Sequence, residues 1–378
     1  MFIDRVHKKE VEVMLKEMDR REFLKTSAAT GAVLVAGDIV SKGASVAYGS
    51  VKIPEVEKLV ITVITDNYYD CLRWNLNPPD YKVVKRYMNL PGIPIGFPSP
   101  WIHSEHGLAY YIETVVDGKP NAFMFDYGLD FHGVSKNMEL LDLDVRRLEA
   151  LGLSHGHFDH YESLNSILTY NRTKIRKGIP LYVGEETFAH RFVNLPAGPY
   201  DPSGINSLGQ LKREEIETLG LVKILEIKEP TPIVSGAYLT GNIERVTEYE
   251  KGSPILFIKR GDKMELDLFM GEQSLVFHVK GKGLIVLSSC AHAGMVNTVK
   301  HAQKMTGINK IHALIGGFHL IGAPMPKIEK TIADIKAINP DYIVPMHCSG
   351  WEAISTFAKE MPQQFIINTA GTKYIFTA

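Results

Sequence analysis

The chain of 378 residues carries 42 Lys+Arg against 43 Asp+Glu, a formal net charge of −1, with 45% hydrophobic and 22% charged residues. That balance suits a soluble protein with an ample core, in one large or two modest domains, and offers no electrostatic reason to expect nucleic acid or acidic lipid as a partner. Three cysteines, Cys71, Cys290 and Cys348, are too few and too scattered for a disulfide framework.

At the front, Asp19-Arg20-Arg21-Glu22-Phe23-Leu24-Lys25 precedes a moderately apolar run from Thr26 to Val40, and Ser45-Val46-Ala47 then offers small residues for a signal peptidase. The stretch resembles a twin-arginine export signal, with R-R-x-F-L-K matched in full. Residues 1–50 are therefore expected to be an export signal and linker, read by the twin-arginine machinery and sending the protein to the periplasm or another extracytoplasmic space. The apolar run is short and contains Asp38, so no stable membrane span is expected. Residues 51–378 read as one domain.

In that domain Lys58 to Thr65 (KLVITVIT) is a β-branched run expected as a buried strand. Asp66 to Pro100, rich in Asn, Pro, Tyr and Gly, reads as a long rim loop of the kind that binds ligands. His103-Ser104-Glu105-His106-Gly107 leads into two strands, Leu108 to Val116 and Asn121 to Phe125, joined through Asp117-Gly118 as a hairpin. Phe125-Asp126-Tyr127-Gly128 closes the second. Beyond Tyr161 to Tyr170, a helical stretch, come a strand at Ile179 to Val183 and a short helix at Glu185 to Val193. Asn194 to Gly209 is loop, and Leu211 to Leu219 a charged helix. Strands then follow at Val222 to Ile227, Ile233 to Leu239, Pro254 to Ile258, Ser274 to Lys280 and Leu284 to Ser289, the last two linked by Gly281-Lys282-Gly283. From Cys290 the rhythm alternates: helix Gly294 to Met305, strand Ile311 to Ile315, helix Ile328 to Ile338, strand Tyr342 to Met346 and helix Trp351 to Lys359. Strands at Phe365 to Ile367 and Tyr374 to Phe376 finish the chain. Strand-rich halves that each end in helices predict an α/β architecture, two sheets face to face with helices outside.

The chemistry concentrates in Leu153-Ser154-His155-Gly156-His157-Phe158-Asp159-His160, three imidazoles and a carboxylate spaced H-x-H-x-D-H on a strand-to-helix turn. Imidazole and carboxylate are ordinary ligands of zinc and similar divalent ions, and such a density of donors suits two ions rather than one. Three apolar strands also run into histidines: Leu284 to Ser289 into Cys290-Ala291-His292, Ile311 to Ile315 into Gly316-Gly317-Phe318-His319, and Tyr342 to Met346 into His347-Cys348. Neighbouring strands deliver their C-terminal ends to one rim, where binding sites of layered α/β folds gather.

The H-x-H-x-D-H turn resembles the signature of the metallo-β-lactamase superfamily. That resemblance implies a four-layer αββα sandwich of two mixed sheets with outer helices. It implies two divalent metals, zinc being the expected one, with His155, His157 and His292 on the first and Asp159, His160 and His347 on the second. The superfamily often bridges its metals with an aspartate near the position of Cys290, and this chain has none there; Cys290 as thiolate or His319 stands in as candidate. Glu105-His106-Gly107-Leu108, Ser289-Cys290-Ala291-His292-Ala293-Gly294, Gly316-Gly317-Phe318-His319-Leu320 and Pro345-Met346-His347-Cys348-Ser349-Gly350 are similar to motifs of one branch, the dihydropterin ribofuranosylaminobenzene phosphate synthases. Thr240-Gly241-Asn242-Ile243-Glu244-Arg245 resembles that branch's Thr-Gly-x-Ile-x-Arg turn.

The expected activity is hydrolysis of a phosphoester, lactone or related ester by metal-held hydroxide. Asp159 would orient that nucleophile and His319 or Glu105 would protonate the leaving group. Glu105, His106 and Arg245 are the candidate contacts to a small-molecule substrate, Arg245 suiting a phosphate or carboxylate. The branch resemblance also implies a pterin-type transferase, against which an export signal argues because those substrates would be cytosolic. A non-catalytic metal-binding protein is the third reading, and the two long loops speak against it.

Overall fold

The computed structural model of the chain describes residues 51–71, 73–85, 101–195 and 204–378. The expected export signal, residues 1–50, lies outside them, as do residues 86–100 and 196–203 of the two expected loops. Gly49–Ala378 cluster as one compact unit.

Two-residue periodicity decides the layers. In the strand Lys58–Thr65, Leu59, Ile61 and Val63 point to one core while Ile64 points to another. Ala109–Val116 and Lys119–Tyr127 repeat the division, with Tyr110, Ile112, Phe123 and Phe125 on the first face and Ala109, Tyr111, Ala122 and Met124 on the second. Both faces are apolar, so both must be covered. The eight-stranded sheet runs, in spatial order, Val222–Ile227, Ile179–Gly184, Leu148–Gly152, Lys119–Tyr127, Ala109–Val116, Lys58–Thr65, Thr372–Thr377 and Tyr81–Lys85. A seven-stranded sheet faces it: Thr231–Val234, Ala237–Leu239, Ser274–Val279, Gly283–Ser288, Ile311–Gly317 and Tyr342–Met346, with Glu55–Val56 added beside Ser274–Val279. Leu275, Phe277, Ile285 and Leu287 of this second sheet fill the core shared with the first.

Helices cover the outer faces. Val134 and Met138 of Phe131–Leu140, with Leu164, Ile167 and Leu168 of Leu164–Tyr170, close the first sheet. Met295–Thr306, Met325–Ile338 and Trp351–Glu360 close the second over Val276, Leu284 and Val286. The result is the expected four-layer sandwich of two mixed sheets. No helix among the described residues is long and apolar enough to cross a membrane.

Gly283–Ser288, Ile311–Gly317 and Tyr342–Met346 lie parallel and adjacent, so their C-terminal ends share one rim. Close approach at that rim needs glycine: a Cβ at Gly316 (φ 120°) would sit 1.6 Å from the Ser288 carbonyl oxygen. The Asp117-Gly118 hairpin forms as expected, both residues left-handed at φ 50° and 69°, the geometry that matches strand twist.

Several local expectations give way to tertiary pairing. Glu185 to Val193 is not a helix; Arg191–Asn194 is a strand instead, opposed to Leu256–Arg260 with Val193 facing Leu256. Together with Ile205–Ser207 and Lys263–Leu266 it makes a third, four-stranded sheet. The expected rim loop contains Tyr81–Lys85, which pairs with the last strand Thr372–Thr377. Ile233 to Leu239 is a tight hairpin, Thr231–Val234 and Ala237–Leu239 turning at Gly236. Phe365 makes only an isolated bridge to Ile343.

A buried ion pair braces the third sheet and, through its arginine, ties it to the turn after Leu148–Gly152. Arg191, 2% exposed, donates from Nε to Asp267 Oδ2 at 2.8 Å, and its Nη1 reaches the carbonyls of Gly156, Thr187 and Ala189 at 3.3–3.4 Å. Removing one partner strands a buried charge, whereas replacing both with apolar residues does not. Asp267→Ala is therefore expected to lower unfolding free energy by about 3–5 kcal/mol. The double change Arg191→Met with Asp267→Leu should recover most of that loss, and urea unfolding of the two variants measures the contrast.

Candidate metal centre

The strand Leu148–Gly152 ends beside Lys119–Tyr127, bringing Ser154 onto the buried carboxylate of Asp126. Asp126 Oδ1 accepts the Ser154 N–H at 2.7 Å; Oδ2 accepts the Ser154 hydroxyl at 2.7 Å and lies 2.8 Å from His160 Nδ1. Ser154 Oγ is also 2.8 Å from His155 Nδ1. A serine hydroxyl donates one proton, and here it goes to the carboxylate, so His155 must donate from Nδ1 to Ser154 Oγ. His160 likewise donates from Nδ1 to Asp126. Both rings are thereby left with a free Nε2 lone pair facing the cluster.

Two sets of donors meet there. His155, His157 and His292 each present a ring nitrogen within 4.8 Å of the others, with His155 Nε2 3.2 Å from His292 Nε2. Asp159 Oδ2 lies 3.3 Å from His347 Nε2 and 3.6 Å from both His160 Nε2 and His106 Nε2. The six sequence-predicted ligands are thus brought together from three strand-end turns. Cys290 sits between the two sets, its Sγ 3.2 Å from His160 Nε2 and grouped both with His155 and with His347. His319 also joins them, its ring centroid 4.0 Å from that of His292. Ala291, His319 and His347 take left-handed backbone at φ 55°, 44° and 51°, a cost of the kind that clusters at functional sites.

The other candidates are divided. His106 stacks on His347 at 4.9 Å and faces Asn67 Oδ1 at 3.1 Å, so it stands at the mouth of the cluster. Glu105 is turned away: its carboxylate accepts the N–H groups of Leu129 and Asp130 at 2.8 Å each and meets His103. The Arg245 guanidinium donates to the Leu268 carbonyl and does not line the cavity over the donors.

Two residues not anticipated from sequence shape the first set. Phe269, at φ 50° with its N–H on Asp267 Oδ1 at 2.8 Å, lies flat on His292, 3.7 Å between centroids and 4° between planes. Its ring meets His157 edge-on at 5.0 Å. Glu272 accepts the N–H groups of His292 and Ala293 at 2.7 Å each, and burial raises its carboxyl to about 7. A lone aromatic in a loop carries no sequence signal for such a task; Asp126 did carry one, in its place at a strand end before Tyr127-Gly128.

The electrostatics suit cations. Burial, reinforced by neighbouring imidazoles, drives His155, His157 and His292 well below the usual imidazole range, so all three are neutral donors at neutral pH. Burial alone would raise Asp159, yet His160 and His347 outweigh it and hold the carboxylate ionised. Burial pushes the Cys290 thiol up. His157 Nε2 is buried without a hydrogen-bond partner, an orphan that a bound ion would satisfy. The donor set, nitrogen and oxygen with a sulfur nearby, fits a borderline divalent metal.

A cavity of about 240 Å³ opens over these donors. His106, His157, Asp159, Cys290, His292 and His319 form its polar floor.

The twin-arginine translocation pathway signal sequence family matches residues 17–37, so the chain carries a signal for export by that machinery out of the cytoplasm. A 7,8-dihydropterin-6-methyl-4-(β-D-ribofuranosyl)-aminobenzene-5′-phosphate synthase of Methanocaldococcus jannaschii is 33% identical over 273 residues, 71% of this chain and 89% of the relative. An uncharacterised protein of the same archaeon is 26% identical over 68% of this chain and 88% of its own length. The crystal structure of a metal-dependent hydrolase of the β-lactamase superfamily has the same fold, with a TM-score of 0.61 at 22% identity, covering 83% of this chain and 98% of that one. With the donor geometry, these likenesses place the chain in the metallo-β-lactamase superfamily, in the enzyme branch of the dihydropterin-methyl-ribofuranosylaminobenzene phosphate synthases.

Proposed function

We propose that the protein is a dinuclear metal-dependent hydrolase of a small ester, lactone or phosphoester, acting after export. His155, His157 and His292 hold the first ion and Asp159, His160 and His347 the second, with zinc as the metal. The convergence of these six donors around Cys290 carries the reading. Bound there, the ions supply Lewis acidity and an acidified water.

The protein's own groups do the rest. Asp126 fixes the tautomers of His155 and His160, one ring in each set. Asp159, kept ionised, orients the attacking water. In hydrolysis the water oxygen bonds to the acyl or phosphoryl centre, the bond to the leaving oxygen breaks, and that oxygen takes up a proton. His319 lines the cavity with a buried Nδ1 that has no partner, and we assign it as the proton donor. Glu105, occupied by two backbone N–H groups, is left a structural role, and Arg245, which donates to the Leu268 carbonyl, is not among the residues lining the cavity.

The synthase reaction named for the archaeal relative is the second reading, favoured by that 33% identity. It uses the same donors but needs a pterin substrate outside the cytoplasm. Zinc-loaded protein assayed on ester, lactone and phosphoester panels, beside a pterin diphosphate with its aminobenzene partner, separates the two. His157→Ala should lose at least one equivalent of metal by elemental analysis and more than about 99% of activity, as expected when a group acting with the metal is lost. A metal-free variant with full turnover would sink the proposal.

The two positions also differ in their response to pH. Burial pushes His347 down, but its hydrogen bond to Asp159, with the charges of Cys348 and Asp159, raises it to about 9. Below that pH an ion entering the second position must displace a proton, which weakens it about tenfold per pH unit. The first set is already neutral, its imidazoles depressed by burial. From pH 8 to pH 6 the second ion should weaken by at least about a hundredfold, since, against burial, Asp159 and Asp126 raise His160 as well, and the first by less than about threefold, read by competition with a chelator. Equal slopes for both ions would refute the division.

A further inference from the structure

We infer that the non-reacting part of the substrate is uncharged and apolar, so that the centre takes a carboxylic ester or lactone bearing a hydrocarbon group rather than a phosphorylated molecule. The inference rests on the hydrolase reading and narrows it.

It comes from the wall that faces the donors. Val193 and Leu256 oppose each other across the antiparallel pair Arg191–Asn194 and Leu256–Arg260, and both line the cavity. Leu208 joins them, held by its N–H on the Arg191 carbonyl at 2.8 Å. Phe158, on the metal-binding turn, and Ile321, 55% exposed and anchored by its N–H on the Cys348 carbonyl, complete the enclosure. The ionisable groups of the lining belong to the donor cluster on the floor. Among the described residues that line the cavity none is lysine or arginine.

Arg191 and Arg245 are both engaged elsewhere. Arg191 is buried on Asp267, and Arg245 donates to the Leu268 carbonyl. Recognition of a phosphate beyond the metals calls for such a group, bidentate where possible. A second phosphate or a diphosphate would press its charge against leucine, valine and isoleucine, at a desolvation cost that no described lining residue offsets. A hydrocarbon chain in the same place leaves water favourably. The wall therefore discriminates between substrate classes that the donors alone treat alike.

The test uses the full chain loaded with zinc and a series of p-nitrophenyl esters from acetate to octanoate, beside p-nitrophenyl 4-phosphonobutanoate, which carries its charge on the non-reacting end. Expected is a rise in kcat/KM of about threefold to fourfold per methylene until the cavity is filled. Turnover of the phosphonate-tailed ester should be lower than that of the butanoate by on the order of a hundredfold. Binding of the carboxylates from acetate to octanoate, followed by calorimetry, should tighten along the same series. Leu256→Lys should flatten both slopes. A phosphonate-tailed ester turned over as fast as the butanoate, a flat chain-length dependence of binding, or slopes unchanged in Leu256→Lys would each overturn the inference. If no ester or phosphoester is hydrolysed but carboxylates still bind more tightly with length, the hydrolase reading fails and the apolar site stands.

Discussion

Asp126 holds the donor-bearing turn, Ser154 to His160, in register with the sandwich. It sits at φ 59°, fully buried, at the end of Lys119–Tyr127, and its two oxygens take three hydrogen bonds from Ser154 and His160. A buried carboxylate is tolerable only when its lone pairs are satisfied this way. Because one of those bonds passes through Ser154 to His155 and another goes straight to His160, a single side chain sets the direction of a lone pair in each donor set. The turn cannot rotate without breaking charge-assisted bonds in an apolar interior. Precision at the cluster therefore derives from a residue that is not itself a candidate ligand.

Strain supplies the rest of the geometry. Parallel strands end side by side, which places Cys290, His292, His319 and His347 on one rim, but a straight exit would carry their side chains past one another. Left-handed residues at Ala291, His319 and His347 fold each exit back over the rim. Phe269 does the same from the opposite side, its backbone held left-handed by Asp267 so that its ring lies on His292. Such conformations persist only where packing over-determines them, and the sheet beneath is packed from both faces.

The layers were legible in the sequence because they follow from two-residue periodicity with apolar residues on both faces. The donors were legible because imidazoles at strand ends have few other reasons to recur. Val222–Ile227 and the helices after Cys290 match their expected spans closely for the same reason: local pattern and tertiary need agree. What failed was local reading where a distant partner decides. Arg191–Asn194 has helix-compatible neighbours, yet becomes a strand because Leu256–Arg260 lies opposite. Glu105 and Arg245 have the chemistry of substrate contacts, and only the coordinates show one turned to backbone N–H groups and the other to a carbonyl. Phe269 carries no signal at all, since its role depends on a ring 23 residues away along the chain, His292.

The small third sheet links stability, the geometry of the candidate ligands and the wall of the cavity. Arg191 lies on the same strand as Val193: one side chain points inward to Asp267 and the carbonyl of Gly156, between the first two histidines, and the other lines the cavity. Two residues apart, they project from the same face of the strand, so one short segment is both brace and wall. Asp267 extends the link, because the carboxylate that neutralises Arg191 also fixes Phe269 over His292. A change that reshaped the wall by shifting this strand would disturb the first donor set as well. The fold is shared by a relative named as a synthase and a structure named as a metal-dependent hydrolase, so the fold says little about substrate. The sheet is where donor geometry and the cavity wall are coupled, so a search for specificity in this chain belongs with residues that the donor motif does not contain.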